Sequence, residues 1–135
     1  MCEIIYMNKY IPKQLPEKYY GNKEYKLNIL LNNRKKVRKS KTKLLETIQK
    51  RSTQMLFRIL EGNGKAIYLI GVDDNGKNIG ISEQDLLESI ENLKKMCSLI
   101  DANIKSIRIY KGLNGYIGSI RLLMNKETIL SREIF

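Results

Sequence analysis

Histidine is absent from this 135-residue chain, and only two cysteines and two prolines are present. Without histidine the commonest general base is missing, as is every Ser-His or Cys-His pairing that activates a nucleophile. The usual zinc patterns are unavailable for the same reason. Carboxylates, lysines and tyrosines are left as acid–base groups, which weighs against an enzyme. Cys2 and Cys97 cannot build a disulfide framework and read as reduced thiols, with Cys97 in the core. No apolar run approaches the roughly 20 residues that span a bilayer, and MCEIIYMNKYIPK lacks the apolar centre of a signal peptide. These gaps predict a cytoplasmic protein with no membrane partner, no metal, no cofactor and no small-molecule substrate.

Acidic residues are also scarce relative to basic ones. There are 25 Lys plus Arg against 14 Asp plus Glu, a net charge of +11. A field of that sign attracts polyanions at long range, so RNA, DNA or an anionic surface is the expected partner. The charge is also clustered. Within NNRKKVRKSKTK, Arg34, Lys35, Lys36, Arg38, Lys39, Lys41 and Lys43 place seven positive charges in ten residues, and Lys50 and Arg51 continue the run. Like charges repel, whereas a polyanion releases condensed counterions for each phosphate neutralised. An RNA phosphate clamp, a nuclear localisation signal and a solvated helix start compete for this segment, and they differ in salt dependence.

Length implies one domain, taken here as residues 24–124, with an N-terminal arm over 1–23 and a C-terminal tail over 125–135. Pro12 and Pro16 predict an extended arm with little regular structure. Its tyrosines Tyr6, Tyr10, Tyr19 and Tyr20 either stack on bases or pack the arm on its own domain. Glu24 to Leu31 alternates as a first strand. Ser40 to Glu61 has helical spacing and is closed by Gly62 and Gly64. Lys65 to Asp73 and Lys77 to Ile81 read as a hairpin across Asp74, Asn75 and Gly76. Ser82 caps a second helix with Asp85 three residues on, and Leu86, Ile90, Leu93, Cys97 and Ile100 form its apolar stripe. Its exposed face is acidic at first, through Glu83, Asp85, Glu88 and Glu91. Asn103 to Lys111 and Tyr116 to Met124 give a second hairpin.

The order strand, helix, hairpin, helix, hairpin predicts an α+β fold with two helices on one face of a mostly antiparallel sheet. Arg108 and Arg121, on the two limbs of the last hairpin, are either phosphate contacts or ordinary residues of an exposed strand face. In the tail, Arg132, Ile134 and Phe135 are candidate contacts to a partner, while Ile129, Leu130, Ile134 and Phe135 would also suit packing as a further strand or against the sheet.

GNGKA at Gly62 to Ala66 lacks the glycine interval and the hydroxyl residue after lysine of a phosphate-binding loop, and it runs from helix to strand rather than the reverse. Asp73, Asp74 and Asp85 need no metal, because Asp-Asp-Asn-Gly is sufficiently explained as a turn.

LPEKYYGNKEYKL (Leu15 to Leu27) and TQMLFRILEGNGKAIYLIGVDDNGKNIGISEQDLLESIENLKKM (Thr53 to Met96) resemble the N-terminal domain of the eukaryotic GTP-binding proteins related to translation elongation factor one-alpha. The resemblance covers roughly Leu15 to Met124. It implies association with the translation apparatus. The chain ends at NKETILSREIF, where that family continues into a GTPase domain, so we expect a stand-alone domain without GTP hydrolysis. YLIGVDDNGKNIGI is similar, more weakly, to the core hairpin of Schlafen-type domains.

Together these readings predict a monomeric, non-enzymatic factor that binds rRNA and ribosomal proteins. Arg34 to Lys43, Lys50, Arg51, Arg108 and Arg121 would touch RNA, and the exit site is the favoured tRNA site. The size and charge resemble small factors that silence or preserve idle ribosomes. A Schlafen-like nucleic-acid-binding or nuclease domain and an adaptor for a translational GTPase are the alternatives.

Overall fold

The most periodic stretch of the sequence forms as expected. In the computed structural model, which describes residues 2–30 and 41–133, Ser82 has extended backbone angles and its hydroxyl accepts the Asp85 N–H at 3.1 Å. This satisfies one of the donors left open at a helix start. The helix that follows buries Leu86, Ile90, Leu93 and Cys97 along one stripe, with Ile100 just beyond its end.

Among the described residues the elements run β1 (Ile4–Tyr10), β2 (Lys23–Lys26), α1 (Lys41–Glu61), β3 (Lys65–Ile70), α2 (Glu83–Leu99), β4 (Asn103–Lys111), β5 (Tyr116–Leu123) and α3 (Lys126–Glu133). The strands form one sheet in the order β1-β4-β5-β3-β2. The class is α+β, as expected. The three inner strands pair antiparallel, and each outer strand joins parallel.

One sheet face is covered by helices. Met55 and Ile59 of α1, Leu86, Ile90, Leu93 and Met96 of α2, and Ile129 of α3 meet Tyr68, Ile70, Ile107, Ile109, Ile120 and Leu122 in one buried cluster. Burying side chains of this size stabilises by about 1.5–3 kcal/mol each. Leu45 and Leu60 of α1 stay exposed, outside this cluster.

Four sequence expectations are corrected. First, residues 4–10 of the arm form strand β1, which pairs with the free outer edge of β4. A parallel partner needs a long crossover. For β1 and β4 that crossover is the whole stretch from residue 11 to residue 102, and its first part, residues 11–22, carries the chain from one edge of the sheet to the other, where β2 begins.

Second, Lys77 to Ile81 do not return as a strand beside β3. The turn itself forms, with the Asp73 carboxylate accepting the N–H groups of Asn75 and Lys77 at 2.9 Å each. Both edges of β3 are already occupied, by β5 and by β2. The segment instead crosses the end of the β4–β5 hairpin, where Ile81 bridges Tyr116. A Cβ on Gly80, whose φ is +88°, would lie 2.8 Å from the Gly115 carbonyl carbon, so glycine is needed there.

Third, the strand read over Glu24 to Leu31 ends at Lys26. The buried side chains Ser89 and Asn92 of α2 draw Ile29 away from the sheet. Ser89 Oγ accepts the Ile29 N–H at 2.9 Å, and Asn92 Nδ2 donates to the Ile29 carbonyl at 2.7 Å. The tail also forms a helix rather than a strand, capped by the Asn125 side chain accepting the Thr128 N–H at 2.7 Å, and Ile129 enters the core.

The arm is fastened by Arg58 of α1. Its Nε donates to Glu24 Oε1 at 2.7 Å, Nη1 to the carbonyls of Tyr20 and Gly21 at 2.8 and 3.0 Å, and Nη2 to the Lys18 carbonyl at 2.7 Å. Arg58 and Glu24 are 4% and 2% exposed, so each buried charge needs its partners; Lys26 adds a second contact to Glu24 at 3.3 Å and Glu17 one to Arg58 at 4.0 Å. The Glu17 carboxylate accepts the Tyr25 N–H, and Tyr25 Oη donates to the Leu15 carbonyl at 2.7 Å.

Candidate nucleic-acid interface

Side chains alternate across a strand, so β5 sends Ile120 and Leu122 to the helices and Ile117, Ser119 and Arg121 to the other face. That second face is divided. At one end Tyr25, Leu69, Val72 and Ile117 are buried, and Ile11 of the crossover packs against them. At the other end the face is open and basic.

Strand register fixes the order there. Ser106, Arg121, Ile67 and Lys23 form one row across four strands. Arg108 lies in the next row opposite Ser119, and Lys65 lies opposite Leu123 on the other side. The β4–β5 ladder slips between Ile104 and Ser106, which leaves Lys105 as the extra residue of a bulge. A bulge re-aims a side chain. Lys105 consequently lines the same cavity as Lys65 and Arg121, a hollow of about 170 Å³ also bounded by Asn22 and Ile67. Asn22 is fixed by donating its amide to the Lys65 carbonyl at 3.1 Å.

Lys23, Lys65, Lys105, Arg108 and Arg121 are all exposed. None of their side chains makes a hydrogen bond or ion pair with a described residue. The acidic start of α2 lies in the helical layer instead, where Glu83 Oε2 accepts the Tyr6 hydroxyl at 2.6 Å. That hydrogen bond to a carboxylate is the main cause of the raised Tyr6 pKa.

The sequence-predicted contacts therefore fall in two places. Arg108 and Arg121 share the open face. Lys41, Lys43, Lys50 and Arg51 belong to α1, which packs on the opposite face of the sheet. Lys41, Lys43 and Lys50 are exposed, whereas Arg51 is half-buried and its Nη1 is enclosed without a hydrogen-bond partner among the described residues. Arg34, Lys35, Lys36, Arg38 and Lys39 lie outside the described residues, as do Ile134 and Phe135; Arg132 falls within α3, its side chain undescribed. Lys23 and Lys65 escaped the sequence reading because single lysines at strand starts carry no local signal. Lys105 and Arg108, three positions apart, would point to opposite faces of a regular strand, and the bulge removes that separation.

Of the arm tyrosines, Tyr6 is tied to Glu83, while Tyr19 and Tyr20 stay exposed with ring centroids 5.5 Å apart in an edge-on pair. Lys18 Nζ stands 5.5 Å from the Tyr20 ring centroid. GNGKA serves as a helix stop, with the Gly64 N–H reaching back to the Ile59 carbonyl at 2.9 Å. No group of metal-ligating residues occurs among the described residues, and none of their helices is long and apolar enough to cross a membrane.

The chain is similar to part of a GTP-binding protein. Over 99 residues the chain is 36% identical to GTP-binding protein 2 of Mus musculus, and equally to that of Homo sapiens. The match takes in 73% of this chain and 14% of the length of those relatives. An uncharacterized protein of Acanthamoeba polyphaga mimivirus is 35% identical over 69 residues, which are 50% of this chain and 37% of that protein. No protein-family model matches the chain. No solved structure matches it significantly.

Proposed function

We propose that this protein is a non-enzymatic ribosome-binding factor that contacts rRNA through basic residues. The observation that carries the reading is that Arg108 and Arg121, on one open sheet face, have no acidic partner among the described residues, together with a net charge of +11. A fold has no internal use for cations that meet no acid, and a phosphate backbone supplies the missing partner. The segment Arg34 to Lys43 offers a second basic region in the sequence, and Lys50 and Arg51 add cations on α1, in the helical layer. Occupation of a tRNA site, with the exit site favoured, would silence or preserve idle ribosomes. Small size and high positive charge support that step.

The test is sedimentation of the tagged protein through a sucrose gradient of its own cell lysate at low and high salt. We expect recovery with monosomes at low salt, loss at high salt, and loss when the Arg34 to Lys43 segment is neutralised. Recovery in the top fractions under every condition would overturn the reading.

The outer edge of β1 favours a second reading. It has no strand partner among the described residues and exposes Ile5, Tyr6 and Tyr10. An adaptor for a GTP-binding protein could pair with such an edge, and its binding would be insensitive to salt.

A further inference from the structure

We propose that Lys65, Lys105 and Arg121 form a socket for a backbone phosphate of RNA, distinct from the basic run that precedes α1. The inference rests on the RNA-binding reading above and assigns it a particular place.

Three observations converge. Each of the three cations comes from a different strand, β3, β4 and β5, and they line one hollow of about 170 Å³. Among the described residues, no carboxylate lines that hollow. The strands are themselves neighbours, so the three attachment points span only about 10 Å across the sheet. Mutual repulsion at that range is relieved by one shared anion.

The hollow is too small for a drug-sized or nucleotide-sized ligand, which needs roughly 300 Å³ or more. A single phosphate group fits that limit. Two sources could provide it, a nucleic-acid backbone or free phosphate. The surroundings favour the backbone. Lys23 lies in the same row as Arg121, two strands away, and Arg108 lies one row along on β4. These cations continue the positive track on both sides of the socket, where a polymer would meet them and a lone phosphate would not. The buried end of the same face, over Tyr25 and Ile117, walls the track on one side.

Fluorescence anisotropy of a labelled single-stranded RNA 12-mer, titrated with the full chain at several salt concentrations, provides the test. The variant Lys65→Gln/Lys105→Gln/Arg121→Gln is expected to bind about ten-fold more weakly. Its plot of log affinity against log salt should be shallower by about 0.7, the value of one neutralised single-strand phosphate. The charge-keeping variant Lys65→Arg/Lys105→Arg/Arg121→Lys should bind like the wild type, and thermal melts of both variants should match it. Wild-type affinity and slope in the Gln variant, with binding abolished by neutralising Arg34 to Lys43, would overturn the socket and leave the RNA reading standing. Failure of the wild type to bind RNA or ribosomes would overturn both. Equal displacement of the 12-mer by inorganic phosphate at matched ionic strength in the wild type, and none in the Gln variant, would assign the socket to free phosphate and overturn the backbone proposal.

Discussion

Ile120 and Arg121 are neighbours in sequence and opposites in environment. Ile120 is fully buried against the helices, while Arg121 is exposed at the rim of a hollow on the other side of the same strand. The contrast runs through the sheet. The helix-covered face gathers residues whose removal from water stabilises the fold. The open end of the other face gathers five cations that add nothing to the core and, being mutually repulsive, oppose the fold slightly. The core and the open basic patch thus lie on opposite sides of a sheet about one residue thick, and a substitution on one side should leave the other largely untouched.

Thiol chemistry should show the widest contrast. Burial in the helix-covered core pushes the Cys97 thiol up to about 12, so almost no thiolate forms near neutral pH. Cys2, half-exposed beside the Lys105 carbonyl, is accessible to reagent. Labelling at pH 8 should modify Cys2 alone in the native protein and both thiols in denaturant. Rapid native labelling of Cys97 would contradict the packing described.

Next in size is the fastening of the arm. Arg58→Ala leaves the buried Glu24 with Lys26 alone, at 3.3 Å, and frees the carbonyls of Lys18, Tyr20 and Gly21. Breaking a buried pair in this way costs about 3–5 kcal/mol. Urea denaturation should show that loss, and a change below about 1 kcal/mol would mean that the arm is held by other contacts.

The adjacent pair on β5 tests the comparison directly. Ile120→Ala should destabilise by about 2–5 kcal/mol through the cavity it leaves. Arg121→Ala should stay within about 0.5 kcal/mol of the wild type, as exposed substitutions do. RNA affinity should respond in the reverse sense, falling for Arg121→Ala and holding for Ile120→Ala under conditions where that variant remains folded. Equal effects on stability would erase the distinction between the faces.

The smallest expected effect is one of pH. Burial raises the Glu17 pKa above its ordinary value, against the opposing hydrogen bond from the Tyr25 N–H. The folded state therefore holds this proton more tightly than the unfolded chain. The resulting stabilisation is complete below the unfolded value and is lost as pH rises through the raised folded value. Thermal melts from pH 4 to 7 should show the wild type losing stability relative to Glu17→Gln across that interval. Parallel curves would remove Glu17 as the cause.

Legibility in the sequence followed the range of the interactions involved. The stripe of α2, its Ser82 cap and the β4–β5 hairpin depend on residues a few positions apart, and all three were readable. The position of β1 was not, because a parallel edge strand is defined by β4, which lies about a hundred residues further along the chain. The return limb after Gly76 was misread for a related reason. A strand forms beside β3 only where an edge is vacant, and vacancy is a property of the assembled sheet. Arg58 lay inside a stretch that resembled a known family, yet nothing local identified it as the anchor of the arm.

The sequence by itself determined the α+β class, the helical stripe, the helix stop at Gly62 to Gly64 and the excess of positive charge, since these follow from composition and short-range periodicity. Tertiary structure decided which cations share a surface. Arg121, Lys105 and Lys65 are brought together by strand order and by a one-residue bulge, and both depend on pairings between segments far apart in the chain.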